Sequence, residues 1–439
     1  MILLILHIKY TLMKRLSLFF GLMVSLVFPL MAQQSTITVM QYNLLQYGNY
    51  ASGYADCYET NNNTQEKDEA IRTILDDVRP DILTVCEFGK PQNLQTDFLK
   101  HNLNINGADY WRSDNIINYN NSSIINHIFY DSRKMVLKRH VALRTSPRDT
   151  DVYELYMKTP NLIAGDTIKL VCIVTHPKAG INYQAERRAT MQTAMDYVQQ
   201  HYAHDNVLIM GDFNMYRASE TGYQLLTRTY SNPDVLFVDP LGNLGGVGEW
   251  DSNSNFAPFH TQSTRRYSEE CFSSGGLDDR FDFILMSDEI YMGFNKIKYV
   301  NNSYRAVGND GHHFNQSINQ NGNTAVSAAL ADALFNCSDH LPVTMQLTVF
   351  AQLDVEEQVL ARFEVFPNPS HGTINISFGP TALLQGQNEY RITNILGQTL
   401  MTGQITGESQ QIDVSGLKEG LYFISVNTAT AKFVKTNTF

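Results

Sequence analysis

Residues 207–216 read VLIMGDFNMY, and this stretch decides how the chain is built. Four apolar residues run into Gly211, which is the pattern of a short buried strand that ends at the edge of a sheet. Asp212 and Asn214 follow at once, where the strand surfaces. An acid and an amide two residues apart are common in turns, but they can also hold a cation or an oxyanion. The stretch alone leaves both interpretations open.

The neighbouring segments predict an alternation of strands and helices between residues 36 and 350. Helical patterns occupy 66–80 and 183–202, and strand patterns occupy 35–45, 81–88, 124–131, 169–176, 280–287 and 340–350. We therefore expect an α/β sandwich with mixed sheets. Residues 242–279 and 301–330 are rich in Gly, Asn, Ser and His, and they predict long loops around a site.

The N-terminus has the pattern of a secretory signal. Met13 is followed by Lys14 and Arg15, by the apolar stretch 16–30 and by Ala32, which ends a plausible cleavage site. We predict that residues 1–32 are a signal peptide whose true start is Met13. The apolar stretch is too short to favour a membrane span, so we expect an exported chain without stable membrane insertion.

Composition limits the classes of function. Hydrophobic residues make up 43% of the 439 residues, which is enough for a full core. The formal net charge is −11, so no global field draws the chain to nucleic acid. The sequence also shows no stripe in which Lys or Arg alternates with aromatic residues, the pattern that binds single-stranded nucleic acid. Both features count against a function on nucleic acid.

The five cysteines are few for a secreted protein, and no CxxC or Cys/His spacing among them indicates a zinc site. Cys86 and Cys172 lie in apolar runs and are expected to be core residues. One pair among Cys57, Cys271 and Cys337 could form a disulfide, and the sequence does not show which.

Polar residues recur at nearly every predicted strand end. Because strand ends in α/β sheets meet in a shared crevice, we expect these side chains to form one site. Oxygen ligands without thiolates suit Mg²⁺, Mn²⁺ or Ca²⁺, and histidines suit general acid and base catalysis. Together they suit metal-assisted hydrolysis of a phosphoester. The residues are Asn43, Glu87, His176, Asp212, Asn214, Asp282, Asp339 and His340.

Six segments carry a family resemblance, in the order QYNLLQYG, PDILTVCEF, VTHPKAG, LIMGDFN, RFDFILMS and CSDHLPV. The region 36–350 resembles the endonuclease/exonuclease/phosphatase superfamily, which includes deoxyribonuclease I, exonuclease III, neutral sphingomyelinases and inositol polyphosphate 5-phosphatases. The resemblance implies a four-layer α/β sandwich with two mixed β-sheets packed face to face. It also implies that Glu87 is the main metal-binding carboxylate, assisted by Asn43 and Asp339.

The same resemblance implies the catalytic roles. Asp212 is expected to orient or deprotonate the attacking water, and Asn214 to contact the scissile phosphate. His340 is expected to be the catalytic imidazole, paired with Asp282. His176 matches the second histidine of the deoxyribonuclease and sphingomyelinase branches.

Two departures from the family pattern leave questions open. A glutamate supports the second histidine in the deoxyribonuclease branch, but here the corresponding stretch 121–134 offers Asn126 and His127. The polar segments 260–266 and 308–319 match no motif. Their charged residues either bind a phosphate group or are solvated loop residues: Arg265, Arg266, His312 and His313.

The composition changes near residue 351, where we predict a linker over 351–362 and a small all-β domain over 363–439. The segments FEVFPNPSHG, ITNILGQTL and IDVSGLKEGLYFISV resemble the type A sorting domain of the type IX secretion system. This implies export through the periplasm and outer membrane, with the secretion machinery as partner. The alternative is an accessory carbohydrate- or protein-binding β-sandwich.

The leading hypothesis is a secreted, metal-dependent phosphoester hydrolase, with a phosphodiesterase or endonuclease as first choice. A sphingomyelinase-like or phosphatase-like enzyme, acting on a phospholipid or a small phosphoester, is the alternative within the superfamily. A non-catalytic surface binding protein on the same scaffold is the alternative from another class.

Overall fold

The computed structural model describes residues 34–50, 57–158, 167–227, 235–242, 249–269, 271–350, 363–378, 388–405, 407, 409–426 and 429–436. The predicted signal peptide 1–32 and the predicted linker 351–362 lie outside these residues. The strands of the first region are β1 (Gln34–Tyr47), β2 (Ile82–Gly89), β3 (Trp111–Ser113), β4 (Ile124–Asp131), β5 (Met135–Leu143), β6 (Thr150–Met157), β7 (Lys169–Val174), β8 (Val207–Asp212), β9 (Phe237–Val238), β10 (Asp282–Ser287), β11 (Ile297–Tyr299), β12 (Arg305–Ala306) and β13 (Val343–Phe350).

Helices occupy fewer residues than strands in the described chain. The α-helices are α1 (Thr64–Val78), α2 (Leu94–Phe98), α3 (Gln184–His201), α4 (Thr221–Thr227), α5 (Asp288–Met292) and α6 (Ala328–Cys337). A π-helical turn spans Leu99–Leu103, and a 3₁₀ helix spans Ser254–Phe259.

The strands form two mixed sheets. One has the order β11-β13-β1-β2-β4-β3, with β12 also paired to β13, and the other has the order β5-β6-β7-β8-β10-β9. In the first sheet β1 runs parallel to β2 and antiparallel to β13. In the second sheet β7 and β8 are parallel, whereas β8 and β10 are antiparallel. The mixed sheets predicted from the sequence are therefore confirmed.

The main core lies between the two sheets. Successive side chains of a strand point to opposite faces, and one face of each central strand is apolar toward the other sheet. Val39 of β1 and Leu208 and Met210 of β8 belong to this shared core, and none of the three has more than a trace of exposed surface. Full burial of each such side chain stabilises the fold by about 1.5–3 kcal/mol.

Helices cover the two outer faces. Tyr42 of β1 packs in a second cluster with Ile74 of α1 and Leu334 of α6. Ile209 of β8 packs in a third cluster with Met195 of α3. The order of layers is helix, sheet, sheet, helix, which is the four-layer sandwich that the motifs imply.

Helix α1 shows how local sequence sets an element. Asn63 precedes it in an extended conformation, and its side chain accepts a hydrogen bond from the Glu66 backbone N–H, as an N-cap does. The helix ends where Arg79 adopts a left-handed conformation with φ of 49°, directly before Pro80. The predicted boundaries 66–80 differ from the observed ones by two residues at each end.

A disulfide joins Cys57 to Cys271 across 214 residues of sequence. Cys86, Cys172 and Cys337 are buried free thiols. The bridge ties the segment after β1 to the long loop that precedes β10, and both segments lie near the site described below.

The C-terminal region is built from strands alone among its described residues: β14 (Phe363–Phe366), β15 (Thr373–Phe378), β16 (Asn388–Asn394), β17 (Thr399–Ile405), β18 (Ser409–Asp413), β19 (Gly420–Val426) and β20 (Ala429–Lys435). They form a sheet β14-β15-β18 and a sheet β17-β16-β19-β20. Ile374 and Ile412 of one sheet share a buried core with Ile424 and Phe433 of the other. This is the small all-β sandwich expected from the sequence.

Candidate active site

The space between the two large sheets turns polar at one end. The alternation that buries Leu208 and Met210 between the sheets also points Asp212 inward at the end of β8. Asp282 is its partner across the β8–β10 ladder. Both carboxylates are buried, so the floor of the site consists of two neighbouring acids at the edge of an apolar core.

Phe213 and Gly211 fix the position of Asp212. Phe213 points the opposite way and stacks on Phe283, with ring centroids 4.9 Å apart. Gly211 has φ of 146°, and a Cβ atom placed there would lie 1.8 Å from the carbonyl oxygen of Thr175. Only glycine lets β7 and β8 approach this closely. Within the motif GDFN, Gly211 allows the close contact between the strands and Asp212 points into the site. Phe213 packs on the opposite face of the strand and anchors the segment.

Glu87 is presented by an irregularity in β2. Its φ is 55°, and the register of β2 against β1 and β4 shifts around this residue. Such a bulge re-aims a side chain. The Gln46 backbone N–H and the Gln46 side-chain Nε2 both donate to Oε2 of Glu87, at 3.1 and 2.9 Å. The Glu87 carboxylate is thereby held in one orientation.

Asn43 joins two acids of the site. Its Nδ2 lies 3.2 Å from Oε1 of Glu87 and 3.0 Å from Oδ2 of Asp212. Its Oδ1 accepts a hydrogen bond from the Leu45 backbone N–H at 3.0 Å. The NH₂ group, rather than the oxygen, thus faces the carboxylates, and the metal-ligand role of Asn43 stays a prediction.

Asp212 lies at the centre of the site. Besides the Asn43 contact, its Oδ2 lies 3.3 Å from Nε2 of His176 and 3.7 Å from Nε2 of His340. Its Oδ1 accepts a hydrogen bond from the Asn214 backbone N–H at 3.0 Å. Burial raises the pKa of Asp212 to about 7, although the nearby His340 opposes this shift. A carboxylate with this pKa can accept a proton near neutral pH.

His340 and Asp282 form a buried pair. Nδ1 of His340 lies 2.7 Å from Oδ2 of Asp282. Burial alone would lower the pKa of His340, but the carboxylates of Asp282 and Asp212 outweigh it, and the pKa lies well above its usual range. The imidazole therefore carries a positive charge at neutral pH, with Nε2 directed toward Asp212.

His176 has the opposite electrostatic character. Burial, followed by the charges of Arg148 and His340, holds its pKa well below the usual range, so its imidazole is neutral. Its Nδ1 is buried and has no hydrogen-bond partner among the described residues. Asn126 instead donates to the Val174 carbonyl at 3.3 Å. No acid therefore supports Nδ1 of His176 in the described part of the chain, and the acid beside this imidazole is Asp212, at Nε2.

Asp339 and Asn214 complete the predicted set. Oδ2 of Asp339 accepts a hydrogen bond from the Ser273 backbone N–H at 3.2 Å, whereas its Oδ1 is buried and without a partner among the residues described. Asn214 has φ of 52°, and its Nδ2 lies 3.5 Å from the Pro177 carbonyl oxygen. The fold brings all eight predicted residues to one end of the sandwich.

The residues fit a divalent cation. Ligand atoms of Glu87, His176 and Asp212 lie within 4.8 Å of one another. The free buried oxygen of Asp339 is a further unsatisfied acceptor, which normally finds a partner. Oxygen donors with one imidazole suit a hard or borderline cation. This cluster shares only Glu87 with the metal set that the sequence resemblance implies.

Three contributors to the site were not predicted from the sequence. Gln46 fixes Glu87, Ser273 donates to Asp339, and Gln262 lies 2.7 Å from His340. Gln46 lies inside the first motif, so its position was an available signal. Gln262 and Ser273 lie in the loop before β10, which has no periodic pattern.

Two of the four charged residues in the loop segments that match no motif, Arg265 and His313, are buried in the protein and do not face the substrate side. Arg265 is buried with its guanidinium over the rings of Phe272 and Phe335, at 3.8 and 3.9 Å from their centroids. His313 is buried and bonded to Asp310 and to the Gln320 carbonyl. Neither is a solvated loop residue, and both stabilise the loops that frame the site.

Comparison with known families identifies both regions. Residues 40–340 match the Endonuclease/Exonuclease/phosphatase family, and residues 364–437 match the Secretion system C-terminal sorting domain. The C-terminal module is therefore an export domain, which directs the protein to the cell surface or the exterior. No helix in the described residues is long and apolar enough to cross a membrane. No curated protein sequence matches the chain significantly.

Solved structures with similar folds share little sequence with the chain. The human Nocturnin catalytic domain with bound sulfate is 15% identical, with 72% of this chain and 96% of that chain covered and a TM-score of 0.43. D. rerio TDP2 with a single-strand DNA product is 12% identical, with coverage of 71% and 99% and a TM-score of 0.43. An endonuclease/exonuclease/phosphatase family protein from Bacteroides thetaiotaomicron is 13% identical, with coverage of 72% and 99% and a TM-score of 0.42. At this similarity the neighbours carry no argument about substrate.

Proposed function

The chain belongs to the Endonuclease/Exonuclease/phosphatase family, and we propose that it is an exported, divalent-cation-dependent phosphodiesterase that cleaves nucleic acid strands. The observation that carries the proposal is the position of Asp212. Its Oδ2 lies within 3.0–3.7 Å of Asn43, His176 and His340, while Glu87 shares the Asn43 amide. A buried acid surrounded by two imidazoles and a second acid suits water activation beside a phosphate.

The residues divide the work of an in-line displacement. Asp212 accepts a proton from the attacking water, whose oxygen forms the new bond to phosphorus. His340, held by Asp282, directs its charged Nε2 at the phosphate and stabilises the developing negative charge. The bond from phosphorus to the leaving oxygen breaks, and that oxygen takes up a proton from solvent, while Asp212 later returns its proton to solvent. Asn214 is proposed to bind a non-bridging phosphate oxygen.

Glu87 is proposed as the principal ligand for the cation, either with His176 and Asp212 or with Asn43 and Asp339. When bound, Mg²⁺, Mn²⁺ or Ca²⁺ would neutralise phosphate charge. Gln46 orients Glu87 through two hydrogen bonds, so the carboxylate is positioned before any ligand arrives.

Two aromatic–cation pairs, on segments connected to the one that carries His176, support a nucleic acid substrate. The Arg144 guanidinium lies 4.9 Å from the ring centroid of Tyr119, and the Lys178 ammonium lies 5.0 Å from that of Tyr183. Both tyrosines are exposed, at 56% and 42% of their surface. Exposed rings stack on bases, and neighbouring cations bind phosphates. The sequence contains no stripe in which Lys or Arg alternates with aromatic residues, but these four side chains form two cation–aromatic pairs in the fold.

The loops that carry these pairs adjoin the catalytic end. Lys178 follows His176 by two residues, and Arg148 donates to the His176 carbonyl at 2.8 Å. The Tyr119 backbone N–H donates to the side chain of Asp149, next in sequence to Arg148. We name the four residues of the two pairs, Tyr119, Arg144, Lys178 and Tyr183, the aromatic rim.

A substrate panel tests the proposal. Hydrolysis of single-stranded DNA, RNA, sphingomyelin vesicles and bis-p-nitrophenyl phosphate is measured with Mg²⁺, with Mn²⁺ and with EDTA. We expect metal-dependent cleavage of a nucleic acid and of the small diester. Preference for sphingomyelin would favour the sphingomyelinase-like alternative. No turnover on any phosphoester would leave the non-catalytic binding protein as the better account.

A further inference from the structure

Gln262 lies at the active site although it belongs to none of the six motifs. Its Nε2 is 2.7 Å from Nε2 of His340 and 3.3 Å from Oδ2 of Asp339. We propose that Gln262 is a positioning residue that holds the Asp339–His340 pair in its reactive arrangement. The inference rests on the proposed phosphodiesterase activity and adds a residue to it.

The Asp339 contact decides which oxygen remains available. Oδ2 of Asp339 receives two donors, the Ser273 backbone N–H at 3.2 Å and the Gln262 side chain at 3.3 Å. Oδ1 is buried and has no partner among the described residues. Gln262 therefore fixes the rotation of this carboxylate, so that Oδ1 is the oxygen left for a ligand.

The His340 contact fixes the second ring nitrogen. Nδ1 of His340 already bonds Asp282 at 2.7 Å. The Gln262 NH₂ group has two protons, so it donates to Oδ2 of Asp339 and to Nε2 of His340 at once when the ring carries its proton on Nδ1 alone, whereas a ring protonated on both nitrogens donates from Nε2 to the carboxamide oxygen and releases Asp339. With partners on both nitrogens, the imidazole plane cannot swing away from Asp212. Such supporting contacts normally set the orientation of catalytic groups.

The backbone around Gln262 is hydrogen-bonded on one side to the segment that carries Asp282 and on the other to the segment that carries His340. The Gln262 backbone N–H donates to the Asp279 carbonyl at 3.0 Å, and the Leu341 N–H donates to the Thr261 carbonyl at 2.7 Å. Oγ1 of Thr261 accepts a hydrogen bond from the Asp282 N–H at 3.2 Å. The Gln262 side chain thus extends from a fixed strand-like segment, and little further ordering is needed to keep its contacts.

Gln262→Met keeps the length of the side chain and removes both hydrogen bonds. We expect kcat on bis-p-nitrophenyl phosphate to fall ~10-fold or more, with KM within about twofold of the parent value because Gln262 acts through its neighbours. Gln262→Glu places an acceptor against Asp339 and is expected to lower kcat at least as much. Gln316→Met is the matched control, since the Gln316 side chain accepts a hydrogen bond from Arg266 rather than from a residue of the active site.

Steady-state kinetics at saturating Mg²⁺ and thermal melting are measured on the parent and all three variants. A large loss of kcat with parent-like KM and melting temperature in a Gln262 variant, but not in Gln316→Met, is the expected result. A kcat within twofold of the parent overturns the inference, and so does a rise in KM at unchanged kcat. If Gln262→Met does not fold, the isosteric Gln262→Glu decides. Absence of turnover by the parent overturns the proposed function and, with it, this inference.

Discussion

Oδ2 of Asp282 and Nδ1 of His340 lie 2.7 Å apart although 58 residues separate them in the sequence. The contact joins the first residue of β10 to the segment that leads into β13, and these strands belong to different sheets. The pair therefore bridges the two sheets at the polar end of the sandwich. This geometry explains why the catalytic residues come from segments spread over the whole domain.

Removing the charged imidazole tests the role of His340. We expect His340→Ala to lower kcat by ~10²-fold or more, because the variant loses a group that stabilises the transition state. Turnover of bis-p-nitrophenyl phosphate gives the rate, and circular dichroism checks the fold. His204→Ala is the control, since His204 is 81% exposed at the opposite end of β8. Near-parent turnover by His340→Ala would show that the site is misplaced.

Metal dependence is expected to act through Glu87. EDTA should abolish turnover, and added Mg²⁺ or Mn²⁺ should restore it. Glu87→Gln removes one negative charge at constant size, so we expect at least ~10-fold more Mg²⁺ to be needed for half-maximal activity. Glu364→Gln, an exposed position on β14, is the control. An unchanged Mg²⁺ requirement in Glu87→Gln would argue against Glu87 as a ligand.

The aromatic rim is expected to contribute to the binding of nucleic acid but not to the binding of a small diester. Tyr183→Ala should raise KM for a single-stranded oligonucleotide by ~5-fold or more, because base stacking on an aromatic ring contributes about 1–3 kcal/mol. KM for bis-p-nitrophenyl phosphate, which is too small to reach the rim, should not change. Tyr156→Ala, in the part of β6 paired with the far end of β7, is the control. Equal effects on both substrates would contradict the assignment of the rim.

The disulfide between Cys57 and Cys271 is expected to stabilise the loop before β10. The Cys57→Ser, Cys271→Ser double variant should lose about 2–4 kcal/mol of unfolding free energy, since the bridge closes a long loop. Chemical denaturation measures the loss. A reducing agent should destabilise the parent by a similar amount and leave the double variant unchanged. An equal response of both proteins to the reductant would show that the bridge does not form.

His140 predicts a pH dependence of stability. Burial lowers its pKa, but its ring nitrogens donate hydrogen bonds to the carboxylates of Asp114 and Asp151, at 3.1 and 2.9 Å, and these raise the pKa to about 9. A raised folded-state pKa stabilises the fold fully below the unfolded value of about 6.5, and this stability is lost as pH rises through about 9.

The free-energy difference between the parent and His140→Gln is therefore expected to shrink between pH ~7 and ~10. Denaturation at several pH values measures it, with His204→Gln as the exposed control. A difference that stays constant across this range would contradict the charged state of His140.

Regular strands made much of the fold predictable. The continuous apolar run that ends at Gly211 indicated a buried strand, and this placed Asp212 and Asn214 at the strand end. The family resemblance also implied that Asp282 and His340 would pair. The strand-end inference uses a local pattern that a regular strand preserves in three dimensions, whereas this pairing rested on the resemblance alone.

Irregular backbone accounts for most of what the sequence did not predict. The left-handed conformation of Glu87 breaks the strand alternation, so its side-chain direction could not be read from parity. Gln262 reaches His340 only because its loop passes between two distant segments. The choice of Cys271 over Cys337 as the partner of Cys57 likewise depends on the path of this loop.

The most direct test of the account is the rate at which the parent and Asp212→Asn hydrolyse bis-p-nitrophenyl phosphate at neutral pH in the presence of Mg²⁺. Asp212→Asn keeps the size of the side chain and removes the group proposed to accept a proton from water. We predict metal-dependent turnover by the parent and a loss of ~10²-fold or more in the variant, with an unchanged melting temperature. Equal rates for the two proteins, or no rate for the parent with any divalent cation, would contradict the account.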